Sequence, residues 1–153
     1  MPVPSEPHSG KGPPDKISIV VYSGDFDKVH YALVMASAAR AVNLPVTLFF
    51  TMEATRALMK PADAMPGWHR LPASGGAATA AAVDRNFGDQ GVATFEELLS
   101  ACVVLGVRWL VCEMGLRVLG LSLADLRDDV PVESGGVVTF IADASRDGAM
   151  LFL

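Results

Sequence analysis

The chain has 153 residues, of which 51% are hydrophobic and 19% are charged, and its formal net charge is −5 at pH 7. This length predicts one domain with a substantial buried core. The acidic balance argues against nucleic acid as a partner, because the chain has no excess of basic side chains to neutralise phosphates. No apolar run reaches the roughly 18–20 residues that cross a bilayer, so we expect no membrane partner.

The first 15 residues, M-P-V-P-S-E-P-H-S-G-K-G-P-P-D, predict a disordered leader, followed by a single domain over residues 16–153. The leader has no basic segment followed by an apolar one, so we expect no secretory signal peptide. The chain has two cysteines, Cys102 and Cys112. Two cysteines without a secretory signal favour a cytoplasmic location over a disulfide-bonded scaffold.

A strand, a helix and a second strand are predicted first. Residues 17–22, I-S-I-V-V-Y, are β-branched and aromatic, which is typical of a strand. Asp25 can cap a helix that runs to about Val42. Residues 46–51, V-T-L-F-F-T, predict the second strand. This order favours two parallel strands joined by a right-handed crossover.

The next predicted elements are a short helix over residues 53–59 and a long loop over residues 61–93. The loop contains several Pro and Gly residues, and a loop of this length in a compact domain is usually functional or mobile. Its Ala-rich part, residues 77–85, is equally compatible with a helix. If the segment is a loop, it is a candidate cover for a site.

A helix is predicted to begin at Thr94, because T-F-E-E over residues 94–97 is a capping box. The helix closes at Gly106. Cys102 falls on the apolar stripe of this helix, so we expect it to be a core residue rather than a reactive one.

The remaining segments complete an alternation of strands and helices. Residues 107–111 are a short apolar run, typical of a strand buried on both faces. A short helical piece follows, and then a strand near 131–133, a helix from 134–136 to 144, and a last strand at 149–153. Five strands that alternate with helices predict an α/β fold with a mostly parallel sheet. The expected strand order is 2-1-3-4-5.

Familiar cofactor and catalytic motifs are missing from the sequence. It contains no G-x-G-x-x-G after the first strand, no phosphate-binding G-x-x-x-x-G-K-[ST], no C-x-x-C and no G-x-S-x-G. The three histidines, His8, His30 and His69, are scattered along the chain, which argues against a zinc site. We therefore expect neither a metal nor a cofactor.

Cys112 is the candidate functional residue, because it follows a predicted central strand directly and precedes a helix. Chemistry in α/β proteins is found at the carboxyl ends of strands. The first amides of the next helix would favour a thiolate, whereas the neighbouring carboxylate of Glu113 would oppose it. Two interpretations are open: a thiolate exposed to a crevice and able to carry sulfur, or the last buried residue of a strand.

Other strand ends should lie at the same edge of the sheet and form a common crevice with this cysteine. The candidate binding residues are Ser23, Gly24, Asp25, Thr51, Glu113, Met114 and Gly115. For Asp25 the simpler interpretation is a helix cap without a binding role.

Three segments resemble the DsrE/DsrF-like family, and in particular its DsrE2-like branch. They are Y-S-G-D-F-D-K-V-H-Y-A-L from Tyr22, V-T-L-F-F-T from Val46, and L-V-C-E-M-G-L-R-V-L-G around Cys112. The likeness extends from about Lys16 to Leu153. It implies a three-layer α/β sandwich with flavodoxin-like or Rossmann-like layering, usually assembled into homo-oligomers.

The resemblance also implies a function. It predicts a cytoplasmic sulfur carrier or sulfurtransferase-like protein in which Cys112 holds sulfane sulfur as a persulfide. Its partners would be sulfur-donor and sulfur-acceptor proteins. The alternative is a non-catalytic oligomeric module of the same fold that binds a small molecule or a nucleotide in the strand-end crevice.

Overall fold

The computed structural model describes residues 12–74 and 78–153. The first 11 residues of the predicted leader lie outside this description. Its last part is described, and Asp15 N–H donates a hydrogen bond to Asp147 O at 3.4 Å. Within the two described ranges, no helix combines the length and the apolar character that a membrane span requires.

Strands and helices alternate along the described chain. The strands are β1 (Ile17–Val21), β2 (Val46–Phe50), β3 (Arg108–Cys112), β4 (Val132–Gly135) and β5 (Ala149–Phe152). The α-helices are α1 (Phe26–Ala41), α2 (Ala80–Asp89), α3 (Phe95–Val104), α4 (Glu113–Leu119) and α5 (Val137–Asp143). Short 3-10 helices cover Met52–Leu58, Gly67–Arg70 and Leu123–Asp125. The predicted α/β alternation is confirmed.

The sheet has five strands in the order β4-β3-β2-β1-β5, and all its pairings are parallel. The predicted order 2-1-3-4-5 is therefore wrong. It placed β1 beside β3, whereas β2 lies between them and β5 pairs with the other side of β1. Hydrophobic pattern identifies strands locally, but which strands become neighbours depends on packing between distant segments.

The two faces of the sheet bury clusters of very different size. Ile19, Leu48 and Trp109 point into a large cluster that includes the buried sides of α1 and α3. The residues that alternate with them, including Phe49 and Leu110, form a small cluster on the opposite face. The third layer of the predicted sandwich is therefore thin over these strands.

Helix α3 begins where its capping box predicts. Thr94 Oγ1 accepts a hydrogen bond from Glu97 N–H at 3.4 Å, and Glu97 Oε2 accepts one from Thr94 N–H at 2.9 Å. Cys102 on this helix is fully buried, and its thiol donates to Leu33 O. Burial raises the pKa of the Cys102 thiol to about 12. The prediction that Cys102 is a core residue is confirmed.

The segment predicted as a long loop is largely structured and packed. It contains the 3-10 helix Gly67–Arg70 and all of α2, while residues 75–77 lie outside the described ranges. Trp68 is buried in the large cluster, and its indole N–H donates to Glu96 Oε1 at 2.9 Å. The segment therefore packs on the face of the sheet opposite Cys112, and it does not cover that residue.

Candidate functional site

The ends of β1, β2 and β3 lie side by side at the carboxyl edge of the sheet. In the strand register, Val21 is paired with Phe50, and Phe50 with Val111. The residues that follow these strands are therefore neighbours, which confirms that the predicted strand ends share one edge.

Two glycines allow the strand ends to pack closely. A methyl group placed on Gly115 would lie 2.8 Å from Met52 N and 3.2 Å from Thr51 Oγ1. A methyl group on Gly24 would lie 2.8 Å from Glu53 Cβ. Real side-chain carbons do not approach other atoms this closely, so both positions require glycine in this arrangement.

Met52, directly after β2, has an unusual backbone conformation. Its φ is +48°, in the left-handed region that non-glycine residues rarely adopt. Such strain persists only where the surrounding structure holds it. Here the backbone N of Met52 packs against Gly115, so the start of α4 helps to fix the end of β2.

Cys112 ends β3 and is the N-cap residue of α4, as the sequence predicts. Of the two interpretations left open by the sequence, its environment matches the last buried residue of a strand and not a thiolate exposed to a crevice. Only 1% of Cys112 is exposed, and it packs with Phe49, Leu110 and Phe140. Within the described structure, its side chain makes no capping hydrogen bond to the amides of α4. The reason for its burial is α5, which carries Phe140 across this face of the sheet.

A shallow apolar groove adjoins the Cys112 cluster. Its volume is about 290 Å³, and Phe49 and Phe140 contribute both to its wall and to the packing around Cys112. The other lining residues are Val20, Tyr22, Thr51, Met52, Met114, Val137, Ile141, Met150 and Phe152. The predicted residues Thr51 and Met114 are thus brought close to Cys112, whereas Glu113 is exposed at the start of α4.

A second, polar cleft contains the predicted residues that follow β1. Gly24 and Asp25 line this cleft of about 240 Å³ together with Glu53, Arg56 and Arg70. Arg56 Nε donates to Glu53 Oε2 at 2.7 Å.

Asp25 and Ser23 contact each other at the start of α1. Asp25 occupies the N-cap position, but its carboxylate accepts no capping hydrogen bond from the described residues. Instead, Asp25 N–H donates to Ser23 Oγ at 3.2 Å. Of the predicted site residues, Thr51 and Met114 line the apolar groove and Gly24 and Asp25 line the polar cleft. The remaining four, Cys112, Ser23, Glu113 and Gly115, line neither.

The site also includes two residues that were not among the predicted site residues. Phe49 and Phe140 cover Cys112, with their rings stacked at a centroid distance of 4.9 Å. Phe49 could have been found from the alternation of β2, but the approach of Phe140 depends on the path of α5. Among the residues that the structure describes, no group of three or more His, Cys, Asp or Glu side chains could hold a metal ion.

A model of the DsrE/DsrF/DrsH-like family matches residues 13–152. The chain belongs to the DsrE/DsrF/DrsH-like family. The match covers all five strands, and the resemblance predicted from the sequence is confirmed.

Two curated relatives match across nearly their whole length. This family member is 28% identical to the uncharacterized protein YrkE of Bacillus subtilis, over 90% of this chain and 96% of that protein. It is 26% identical to the sulfur carrier protein DsrE2 of Allochromatium vinosum, over 90% of this chain and 98% of that protein.

Two solved structures share the fold. The ychN protein of E. coli matches with a TM-score of 0.51 and 17% identity, over 91% of this chain and 99% of that chain. Protein MTH1491 of Methanobacterium thermoautotrophicum, of unknown function, matches with a TM-score of 0.50 and 16% identity, over 91% and 100%. At these identities the comparison supports the architecture alone.

Proposed function

We propose that this protein is a cytoplasmic sulfur carrier that holds sulfane sulfur as a persulfide on Cys112. The observation that carries the proposal is the position of Cys112, at the carboxyl end of β3 and the start of α4 in a member of this family. The full-length similarity to a protein named as a sulfur carrier supports the same function. Cys102 is a poor candidate, because it lies on α3 inside the large cluster, on the other face of the sheet from Cys112, and burial raises its pKa to about 12.

The proposed reaction is an exchange between thiolates and persulfides. The Cys112 thiolate attacks the outer sulfur of a donor protein's persulfide, the donor S–S bond breaks, and the donor leaves as a thiolate. Cys112 is now a persulfide. An acceptor thiolate then attacks the outer sulfur of Cys112, and the Cys112 thiolate is regenerated. No net oxidant or reductant is needed, because each step moves one sulfur atom between thiols.

The other predicted residues surround this transfer. Thr51 and Met114 form part of the apolar wall beside the cysteine cluster, and Gly115 allows α4 to approach β2. We assign Glu113, Ser23, Gly24 and Asp25 to the surface that a donor or acceptor protein contacts, because they lie at the same edge of the sheet.

Mass spectrometry tests the carrier function. The reduced protein is incubated with polysulfide, desalted and measured intact. We expect a gain of about 32 Da, one sulfur atom, that dithiothreitol removes. Cys112→Ser should lose this adduct. Cys102→Ser is the matched control and should keep it. A wild-type protein without the adduct, or an adduct that persists in Cys112→Ser, contradicts the proposal.

We also propose that a second copy of this chain covers the side of the apolar groove formed by the ends of β1 and β5, which leaves α5 uncovered. The groove residues on that side are large and strongly exposed, with Phe152 at 68%, Met150 at 53% and Tyr22 at 48%. The described lining contains no charged side chain that would select a different partner, and the cores of homo-oligomer interfaces are apolar in the same way. Size-exclusion chromatography with light scattering should show a homo-oligomer. Phe152→Glu should shift it to monomer, whereas a monomeric wild type contradicts the assignment.

A further inference from the structure

Helix α5 is the element that separates Cys112 from solvent, and its attachment to the sheet is slight. Phe140 is 2% exposed and packs on Phe49, whereas Val138 and Ile141 of the same helix are 82% and 60% exposed. The helix has only seven residues. Helices this short are unstable in water without tertiary contacts. The position of α5 therefore depends on a few contacts that can be identified.

The carboxyl-terminal end of α5 is anchored by Asp143. Its carboxylate accepts hydrogen bonds from Lys16 Nζ at 2.7 Å, from Thr47 Oγ1 at 2.5 Å and from Arg108 Nη1. Lys16 Nζ also donates to the backbone O of Asp143 at 2.7 Å. These partners sit at the starts of β1, β2 and β3, so one side chain ties the end of the helix to three strands.

The amino-terminal end of α5 follows β4 after a single residue, and it is the end nearest to Cys112. Gly135 is the register partner of Cys112 in the sheet. The N-cap residue is Gly136, which offers no side chain to the first amides of the helix. Val137, the first helical residue, is 49% exposed. Two adjacent glycines therefore allow this end to act as a hinge, whereas the bonds of Asp143 hold the other end closed.

We propose that α5 is a lid over Cys112, hinged at Gly136 and latched at Asp143, which opens when the bonds of Asp143 release. Opening lifts Phe140 from Phe49 and exposes the cysteine while the large cluster on the other face of the sheet stays folded. The lid protects a carried persulfide when α5 is closed and admits a donor or acceptor thiol when it is open. This role rests on the proposed function, since it governs access to the sulfur site.

Alkylation of the two cysteines with iodoacetamide, followed by peptide mass spectrometry, tests the lid. Cys102 reports unfolding of the large cluster, because it is fully buried there. We expect Cys112 to react many times faster than Cys102, with a much weaker dependence on added urea. Equal rates and equal urea dependence would mean that Cys112 is exposed only by global unfolding, and would overturn the proposal.

Three variants separate local opening from global unfolding. Asp143→Asn should speed alkylation of Cys112 about tenfold, because it weakens charged hydrogen bonds that hold α5 closed. Glu133→Gln is the matched control: it removes the other ion pair of Arg108 and should leave the Cys112 rate unchanged. Ile19→Val lies in the large cluster and should speed only Cys102, about two- to tenfold.

Two results would overturn the lid proposal. One is an unchanged rate of Cys112 alkylation in Asp143→Asn, and the other is an equal acceleration of both cysteines in Ile19→Val. The measurement uses a small alkylating reagent and no sulfur donor. Loss of the carrier function would appear as a missing persulfide adduct with the alkylation pattern intact, so the two proposals fail separately.

Discussion

Residue 115 shows how a single missing side chain shapes the candidate site. Gly115 brings the first turn of α4 against Thr51 and Met52, and Met52 holds a left-handed backbone there. This contact fixes the segment that directly follows Cys112. Gly115 was predicted as a site residue only because it closely follows Cys112. The structure adds the physical reason for a glycine there, since a side chain would overlap Met52.

Gly115→Ala should destabilise the protein by about 1–3 kcal/mol, because the added methyl overlaps Met52 N and Thr51 Oγ1. Urea unfolding followed by circular dichroism measures the change. Gly136→Ala is the control, since a methyl group there meets nothing within 4 Å and its φ of −107° suits any residue. Equal stabilities of Gly115→Ala and wild type would show that the strand ends do not pack as described.

The surroundings of Cys112 illustrate what sequence can and cannot predict at this scale. Its placement between β3 and α4 follows from a short apolar run that ends before a helical pattern, and both signals are local. Burial was one of the two interpretations left open, but the residue that buries Cys112 could not be predicted, because Phe140 is 28 positions away in the chain and reaches Cys112 only through the crossover to β5. The anchoring role of Asp143 was missed for the same reason.

Among the elements, those with local signals were predicted best. The capping box at Thr94 fixes the start of α3, and the β-branched and apolar runs identify β1 and β2 within one residue of their observed ends. The segment 61–93 was harder, because its Pro and Gly residues suggest a loop while Trp68 anchors it in the core. A single tryptophan shows no hydrophobic periodicity, so the sequence did not indicate that the side chain of Trp68 is buried in the core.

The strand order is the clearest failure at the scale of elements. Every strand was identified, yet β5 was placed at the far edge of the sheet instead of beside β1. β5 pairs with β1 through its backbone over residues 17–20. Because backbone pairing does not depend on the side-chain pattern of either strand, that pattern could not identify β1 as the neighbour of β5. From β1 to β4 the chain moves across the sheet in one direction, and from β4 to β5 it returns in the other. Because the crossovers are right-handed, this reversal places α5 on the opposite face from α1 and α3.

On the scale of the whole molecule, three carboxylates respond to their charged neighbours. Partial burial opposes ionisation of Glu96, but hydrogen bonds from Arg127 and Trp68 outweigh it and lower its pKa. A hydrogen bond from Arg127 lowers the pKa of Asp129. Asp143 is partly buried as well, and its bonds from Lys16, Thr47 and Arg108 lower its pKa. All three therefore favour the folded state when they are ionised.

These shifts predict that the protein loses stability in acid. A carboxylate with a lowered pKa in the folded state stabilises the protein above its unfolded pKa of about 4, and this stabilisation disappears as the pH falls through the folded value. The urea midpoint should therefore fall between about pH 5 and pH 3. Asp143→Asn should be less stable than wild type at pH 7, and the two should converge in acid. A constant difference across the range contradicts the role of Asp143.

Because the two faces of the sheet bury clusters of unequal size, the residues that stabilise the fold are largely separate from those that surround Cys112. The large cluster under α1 and α3 supplies the bulk of the buried apolar surface, while Cys112 lies on the other face of the sheet, packed against Phe49, Leu110 and Phe140. Substitutions on the first side should therefore change the free energy of unfolding while the packing around Cys112 stays intact. Substitutions on the second should change the access of solvent to Cys112 while the large cluster stays folded.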